Sequence, residues 1–233
     1  MSQTAVIAAG GFAKRLGVNM PKSLIMYGQS PLIAYVIRSL AQVGVTRFVL
    51  CNNRPEFRAQ LEEVTARFPT VILDDRGSSS TIQLVRSALP LICDDNLIFA
   101  YGHAPRPVQF LRDMLDSPCP VVTAGVEVSS KTKPIRSTSE GNWIEPPYKI
   151  DRRFFERMSA AASWGEFFDS VSPDVIPIAN GAPGEFNYPA DLIRYDKYMK
   201  DWSKANLCFS EPGDSEVHAI TLPPTNGPLR VCA

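Results

Sequence analysis

The first 126 residues alternate short apolar runs with stretches of helical periodicity. Ala5–Ala9 is a continuous apolar run of the kind a buried parallel strand needs. A second apolar patch after Lys22 turns at Gly28 and leads to Pro31, a residue suited to the first position of a helix. Leu32, Ile33, Val36, Ile37 and Leu40 then fall on one helical face, so 31–43 reads as a helix packed on a sheet, with Gly44 as its stop. Arg47–Asn52 reads as the next strand. Residues 55–67 read as a helix with Phe57, Leu61 and Val64 inward, and Val71–Leu73 as a short strand. A helix over about 80–90, a strand over Asn96–Tyr101, a helix over 107–116 and a strand over 120–126 continue the series. This β-α-β alternation calls for an α/β fold with a parallel sheet and right-handed crossovers.

Past residue 126 the pattern weakens. Residues 127–150 are rich in Ser, Thr, Lys and Pro, and read as an insertion. Asp151–Ala162 reads as a helix. Asp174–Ile178 reads as a strand at a sheet edge, because Pro177 interrupts it. A helix over roughly 189–204 carries Leu192, Ile193, Tyr195 and Met199. The tail from about 207 has scattered Pro and Gly and reads as an extended wrap or partly disordered arm.

Composition narrows the function classes. The chain has 233 residues, suited to one large domain, and its formal net charge is zero, which gives no general attraction to nucleic acid or acidic membrane. It shows no apolar run of transmembrane length and no secretory pattern at residue 1. The five cysteines, Cys51, Cys93, Cys119, Cys208 and Cys232, lack C-x-x-C spacing, and three sit in or beside apolar runs. A reducing, cytoplasmic location is the expectation.

The candidate chemistry lies at the end of the first strand. Ala8-Ala9-Gly10-Gly11-Phe12-Ala13-Lys14-Arg15-Leu16-Gly17 leads on to Pro21-Lys22. A buried strand ending in a small-residue, cationic loop is suited to a polyphosphate: backbone N–H groups approach the oxygens and fixed cations neutralise them. Neither G-x-x-x-x-G-K-[ST] nor G-x-G-x-x-G is present. Two further strand ends carry candidate groups: Gly77-Ser78-Ser79-Ser80-Thr81 at a helix start, and Gly102-His103-Ala104-Pro105-Arg106-Pro107 after the strand ending at Tyr101.

The first stretch resembles the signature loop of the nucleotidylyltransferases, A-G-G-x-G-x-R-[LM]-G followed by P-K. Gly10, Gly11, Arg15, Leu16, Gly17, Pro21 and Lys22 match it, and Ala13 stands where the pattern has Gly. The gap of five residues between Arg15 and Pro21 is similar to that of the compact cytidylyltransferases, of the methylerythritol phosphate and molybdenum-cofactor types. Gly77, Val85, Ala88 and Leu89 match a second segment, with Thr81 replacing an Arg and Leu84 a Ser; its Ser-rich form resembles the molybdenum-cofactor branch. Ala104, Arg106 and Pro107 match H-D-A-A-R-P, but His103 stands where the metal-holding Asp belongs. Asn187, Pro189, Asp191 and Leu192 resemble the closing motif.

The resemblance covers about residues 4–200. It implies a single Rossmann-like three-layer α/β/α domain of GT-A type over 1–206, with a mostly parallel mixed sheet, an arm or acceptor insertion at 127–150 and a tail at 207–233. It implies transfer of a nucleoside monophosphate from an NTP, CTP favoured by the spacing, to a sugar- or polyol-phosphate-type acceptor, with release of pyrophosphate. Arg15 and Lys22 are then the catalytic cations. Ala8, Ala9, Gly10, Gly11, Phe12, Ala13, Lys14, Gly77, Ser79, Ser80, Thr81 and Gly102 are expected at the nucleotide, and His103, Arg106 and Asn187 at the acceptor, with Arg106 alternatively bracing the site. Mg2+ is the implied cofactor. Its usual Asp is replaced by His103, so its ligands stay unassigned; an imidazole is a poor ligand for it. The resemblance also allows a homodimer through the arm. The departures fit a second reading, a non-catalytic nucleotide-binding relative. A glycosyltransferase of similar fold is a third, for which no D-x-D strand end is found.

Overall fold

In a computed structural model of the chain, the residues described are 3–126, 143–178, 196–197, 199–200 and 220–221. In chain order they form β1 (Thr4–Ala8), β2 (Met26–Tyr27), β3 (Ser30–Pro31), α1 (Leu32–Gln42), β4 (Arg47–Asn52), α2 (Arg58–Thr65), β5 (Thr70–Asp74), α3 (Thr81–Ala88) and β6 (Asn96–Tyr101). There follow α4 (Val108–Asp116), β7 (Val121–Val126), β8 (Trp143–Asp151), α5 (Phe155–Ala160), α6 (Trp164–Ser170), β9 (Asp174–Pro177) and β10 (Ile220–Thr221).

Seven strands make one sheet in the order β5-β4-β1-β6-β8-β7-β9. β1 pairs in parallel with β4 on one side and β6 on the other. β8 runs antiparallel to both β6 and β7, and β9 closes the far edge in parallel with β7. The sheet is therefore mixed and mostly parallel, as expected.

Successive residues of β1 point to opposite faces, and both faces are covered. Ala5 and Ile7 pack with Phe48 and Leu50 under Ile33, Val36 and Ile37 of α1, Leu61 of α2 and Leu111 and Met114 of α4. Val6 and Ala8 pack with Val49, Cys51 and Phe99 under Ile82 and Val85 of α3, Met158 of α5 and Trp164, Phe167 and Phe168 of α6. This is the three-layer α/β/α arrangement. Burial on both faces explains why β1, β4 and β6 read as continuous apolar runs.

The departures lie in the second half. Residues 143–150, read with 127–142 as one insertion, instead form most of β8, inside the main sheet. Pro146 and Pro147 hid it. The β7–β8 register jumps there, with Thr123 opposite Tyr148 and Ala124 opposite Glu145. Two residues without backbone N–H groups are accommodated at this irregularity. The helix expected from Asp151 begins later: Asp151 ends β8 and its carboxylate accepts from Arg153 N at 3.0 Å. A 3-10 turn over Arg152–Phe154 precedes α5. A separate helix, α6, starts at an N-cap: Ser163 Oγ accepts from Glu166 N at 3.2 Å, and Glu166 Oε2 accepts from Ala162 N, one residue before the cap, at 2.7 Å. Pro177 does sit on an edge strand. From the tail, Ile220 and Thr221 pair with Tyr27 and Met26 in a small sheet with β3. Residues 127–142, nearly all of the expected 189–204 helix and the rest of the tail lie outside the described residues. No helix among the described residues is long and apolar enough to cross a membrane.

Trp164 joins the outer layer to the sheet. It lies 5.2 Å from Phe99 and 4.8 Å from Tyr148, centroid to centroid, and stacks on Phe168. Its indole N–H donates to Thr81 Oγ1 at 2.9 Å, which ties α6 to the first residue of α3. Trp164→Ala should lower unfolding stability in urea by about 3–5 kcal/mol, the usual cost of emptying a buried aromatic site.

Candidate functional site

A cavity of about 440 Å³ opens at the C-terminal ends of β1, β4 and β6. This is the sheet edge where the crossovers diverge: β1 connects through α1 to β4 on one side, while β5 connects through α3 to β6 on the other. Crevices at such points are where open α/β sheets bind ligands.

The signature loop makes one wall. Gly11, Phe12, Ala13, Lys14, Arg15 and Lys22 line the cavity with Ala8. The loop is pinned across its own neck. Lys22 N donates to Gly11 O at 2.7 Å, Ala13 N donates to Met20 O at 3.0 Å, and Phe12 bridges to Pro21. Inside the loop, Lys14–Leu16 form a 3-10 turn that ends at Gly17 with φ 75°, a conformation that favours glycine. Leu16 and Val18 are buried with Ile25, Tyr27, Leu32, Tyr35 and Met199. An apolar anchor beneath and cross-loop bonds above hold the backbone that carries the cations.

Ala13 departs from the resembled pattern at no structural cost. Its φ is −88°, so the position demands no glycine, and its methyl group is buried in the anchor cluster. Lys22 is also buried, at 6% exposure, whereas Lys14 and Arg15 are exposed at the mouth. Arg54 lies over the Phe12 ring at 4.5 Å and Phe57 meets it edge-on at 5.9 Å, so the aromatic wall is braced from behind.

The Ser-rich segment makes the facing wall, through Ser78, Ser79, Ser80, Thr81 and Leu84. Asp75 organises it. Its carboxylate accepts from Gly77 N and Ser78 N, each at 3.0 Å, and from Ser78 Oγ and Ser87 Oγ, each at 2.6 Å. The Ser78 and Ser87 hydroxyls, in that order, hold this carboxyl below the usual carboxylate range. Gln83 takes Ser79 N at 2.8 Å, and Ser80 makes no side-chain cap bond. The Ser80 hydroxyl is buried in the cavity wall with no partner among the described residues.

Two lining residues at strand ends are additional to those expected from sequence. Asn53 follows β4, and its buried Oδ1 has no partner among the described residues. Tyr101 ends β6. A polar Asn52-Asn53 pair closing a parallel strand was the available signal for the first. Asn52 itself is structural: its amide donates to Asp74 Oδ1 at 2.9 Å and its carbonyl accepts from Arg54 N at 3.0 Å.

Several expected residues shape the site without lining it. A Cβ on Gly10 would collide with the Asn53 side chain and lie 2.9 Å from Asn53 N. A Cβ on Gly102 would lie 3.0 Å from Ser23 Cβ and 3.2 Å from Ala8 O. Both glycines permit close passage of chain past chain. Ala9 O accepts from Ser23 Oγ at 2.5 Å. Gly77 belongs to the Asp75 turn. Asn187 lies outside the described residues.

Arg106 is buried at 3% exposure and turned toward β8. Its guanidinium lies 3.5 Å from Glu145 and donates to Pro146 O at 3.2 Å from Nη2. It thus braces the β8 irregularity and is not among the lining residues.

His103 lines the cavity, 5% exposed and stacked on Tyr101 at 5.4 Å. Burial, then the charges of Lys22 and Arg106, push its pKa well below the ordinary 6.5. The imidazole is therefore neutral at physiological pH. The implied Mg2+ does not fit the donors present. The described lining offers an imidazole, an amide, hydroxyls and three cationic side chains, with no carboxylate. Among the described residues no group of three His, Cys, Asp or Glu is placed to hold a metal.

The neutral His103 makes stability fall in acid. The unfolded chain takes up this proton near pH 6.5 and the folded chain does not, so stability drops by up to about 1.4 kcal/mol for each pH unit below that point. Thermal melts at pH 7.5 and 5.5 should show a loss that shrinks in His103→Gln.

With the geometry in view, comparison with known proteins is direct. Over 60 residues, 24% of its length, the chain is 40% identical to a mannose-1-phosphate guanyltransferase of Schizosaccharomyces pombe, and the match spans only 16% of that protein. In fold it is similar to the inositol-1-phosphate CTP transferase of T. maritima, with TM-score 0.72 and 17% identity over 88% of this chain and 96% of that one. It is similar as well to Rv0371c of Mycobacterium tuberculosis, solved in complex with manganese, with TM-score 0.59 and 14% identity over 83% of this chain and 97% of that one. Residues 5–165, more than half of the chain, match the MobA-like NTP transferase domain, and the chain belongs to that family.

Proposed function

We propose that this protein transfers a nucleotidyl group from a nucleoside triphosphate to a phosphorylated small-molecule acceptor and releases pyrophosphate. One observation carries the reading: three cations of the signature loop, Lys14, Arg15 and Lys22, face the hydroxyls of Ser78–Thr81 across a single cavity at the sheet edge. Cations on one wall suit a triphosphate. Hydroxyls, the Asn53 carbonyl and the Phe12 ring suit a nucleoside.

In this reaction an acceptor phosphate oxygen bonds to the α-phosphorus, and the bond from that phosphorus to the bridging oxygen of the pyrophosphate breaks. Negative charge grows on both the five-coordinate centre and the leaving group. Cations already fixed at those oxygens stabilise the transition state more than the ground state. Lys22, buried where the signature loop closes on Gly11, is assigned to the α-phosphate and acceptor side, and Arg15, at the mouth, to the leaving phosphates. Neutral His103 lines the same cavity. Arg106 supports the strand end from behind.

The short gap between Arg15 and Pro21 favours CTP with a sugar- or polyol-phosphate acceptor. The sequence relatives named as mannose-1-phosphate guanyltransferases favour GTP instead, and the chain spans only about one-sixth of their length. Pyrophosphate release from each of the four NTPs against a panel of sugar and polyol phosphates separates the two. The expected result is acceptor-dependent release with one nucleotide. Lys22→Ala should cut that turnover by about a hundredfold or more while leaving the thermal melt cooperative. Wild-type turnover in Lys22→Ala refutes the assignment.

A further inference from the structure

We propose that this cavity binds its nucleotide as the metal-free triphosphate, its charge neutralised by Lys14, Arg15 and Lys22 rather than by a divalent ion held on the protein. The inference rests on the nucleotide-binding reading above and concerns the charge state of the ligand.

The charge layout supports it. All three cations come from one loop whose backbone is pinned across its neck, and all three line one cavity. The strand end opposite them, where β6 gives way to Gly102 and His103, carries no negative charge. His103 is buried there against Tyr101, with the charges of Lys22 and Arg106 both acting on it. Nearby Glu145, on β8, is buried at 6% exposure, lies 3.5 Å from the Arg106 guanidinium and is not among the lining residues. Asp75 is spent on four hydrogen bonds, three within the Ser-rich turn and one from Ser87 of α3. Asp74 is bound by Asn52 and Arg58. Among the described residues, these three acidic groups near the strand ends are thus committed to structure.

A divalent ion docked at the end of β6 would meet the like charge of Lys22 and a nitrogen ligand. A hard cation such as Mg2+ prefers oxygen ligands and keeps much of its water. A phosphate oxygen in the same place meets the opposite situation: the buried Lys22 cation lines the same cavity, and no carboxylate among the described lining residues repels it. The same electrostatics that exclude the ion favour the anion.

The test is nucleotide affinity, read by calorimetry on the full chain, for each NTP in excess EDTA and in excess Mg2+. The expected result is a best-binding nucleotide whose Kd in EDTA lies within about fivefold of its Kd in Mg2+. A greater loss in EDTA overturns this inference and leaves nucleotide binding standing. No binding under either condition overturns the nucleotide-binding reading, and the inference with it. His103→Asp places a carboxylate at the strand end. It should weaken binding in EDTA by about tenfold or more and recover affinity when Mg2+ is added, creating a metal dependence the wild type lacks. His103→Asn, which adds no charge, should create no such metal dependence: whatever its affinity, its Kd values in EDTA and in Mg2+ should stay within about fivefold of each other. A His103→Asp variant that folds and binds like wild type in both buffers overturns the placement of phosphate at this strand end.

Discussion

The site depends on how closely the chain passes itself at the ends of β1 and β6. At Gly10 the backbone runs against Asn53, and at Gly102 it runs against Ser23 and the carbonyl of Ala8. A side chain at either position would push the signature loop away from the strand ends that complete the cavity. These contacts bring the loop's cations, the β4 terminus and the β6 terminus within one volume. Lys22 and Ser23 follow each other in sequence, so the contact that seats Ser23 also sets Lys22.

Rigidity around this point comes from two directions. Below the loop, Leu16 and Val18 are buried in a small apolar cluster with Ile25, Tyr27, Leu32 and Tyr35, and Met199 joins it from the far end of the chain. Across the cavity, the Asp75 carboxylate gathers the Ser-rich turn, and the Trp164 indole fixes Thr81 from the aromatic layer of α6. Thr81 and Leu84, which replace polar residues of the resembled pattern, are used for packing and wall shape: one accepts the indole N–H and the other is buried at the cavity. An ordered site of this kind loses little on reorganisation when charge moves within it, which is the condition for electrostatic stabilisation.

The electrostatic character follows from the same packing. Burial beside Lys22 and Arg106 makes His103 a neutral group rather than a switch. Arg106, which sequence reading places at the acceptor or as a brace of the site, is taken up by the carbonyl of Pro146 and by Glu145. That irregularity in β8 exposes a carbonyl the ladder does not use, and a buried guanidinium satisfies it. The cationic character of the cavity thus rests on the signature loop alone among the described segments that line it.

The strand ends and the signature loop were legible in the sequence because their signals are local. A five-residue apolar run, a cationic loop at fixed spacing and helical periodicity over 31–43 are each contained in one stretch. Parallel strands buried on both faces announce themselves the same way. β8 was not legible, because Pro146 and Pro147 erase the strand pattern and only pairing with β6 and β7 restores it. Asn53 and Tyr101 were not legible as lining residues, since each lies in a different segment from the loop and reaches it only through the order of strands in the sheet. Arg106 carried the right charge for a ligand, and burial alone decided that its partner is the protein. The sequence by itself determined which groups are available and the strand ends that present them. Tertiary structure decided which of them share a cavity, because burial and cross-strand contact depend on residues far apart along the chain.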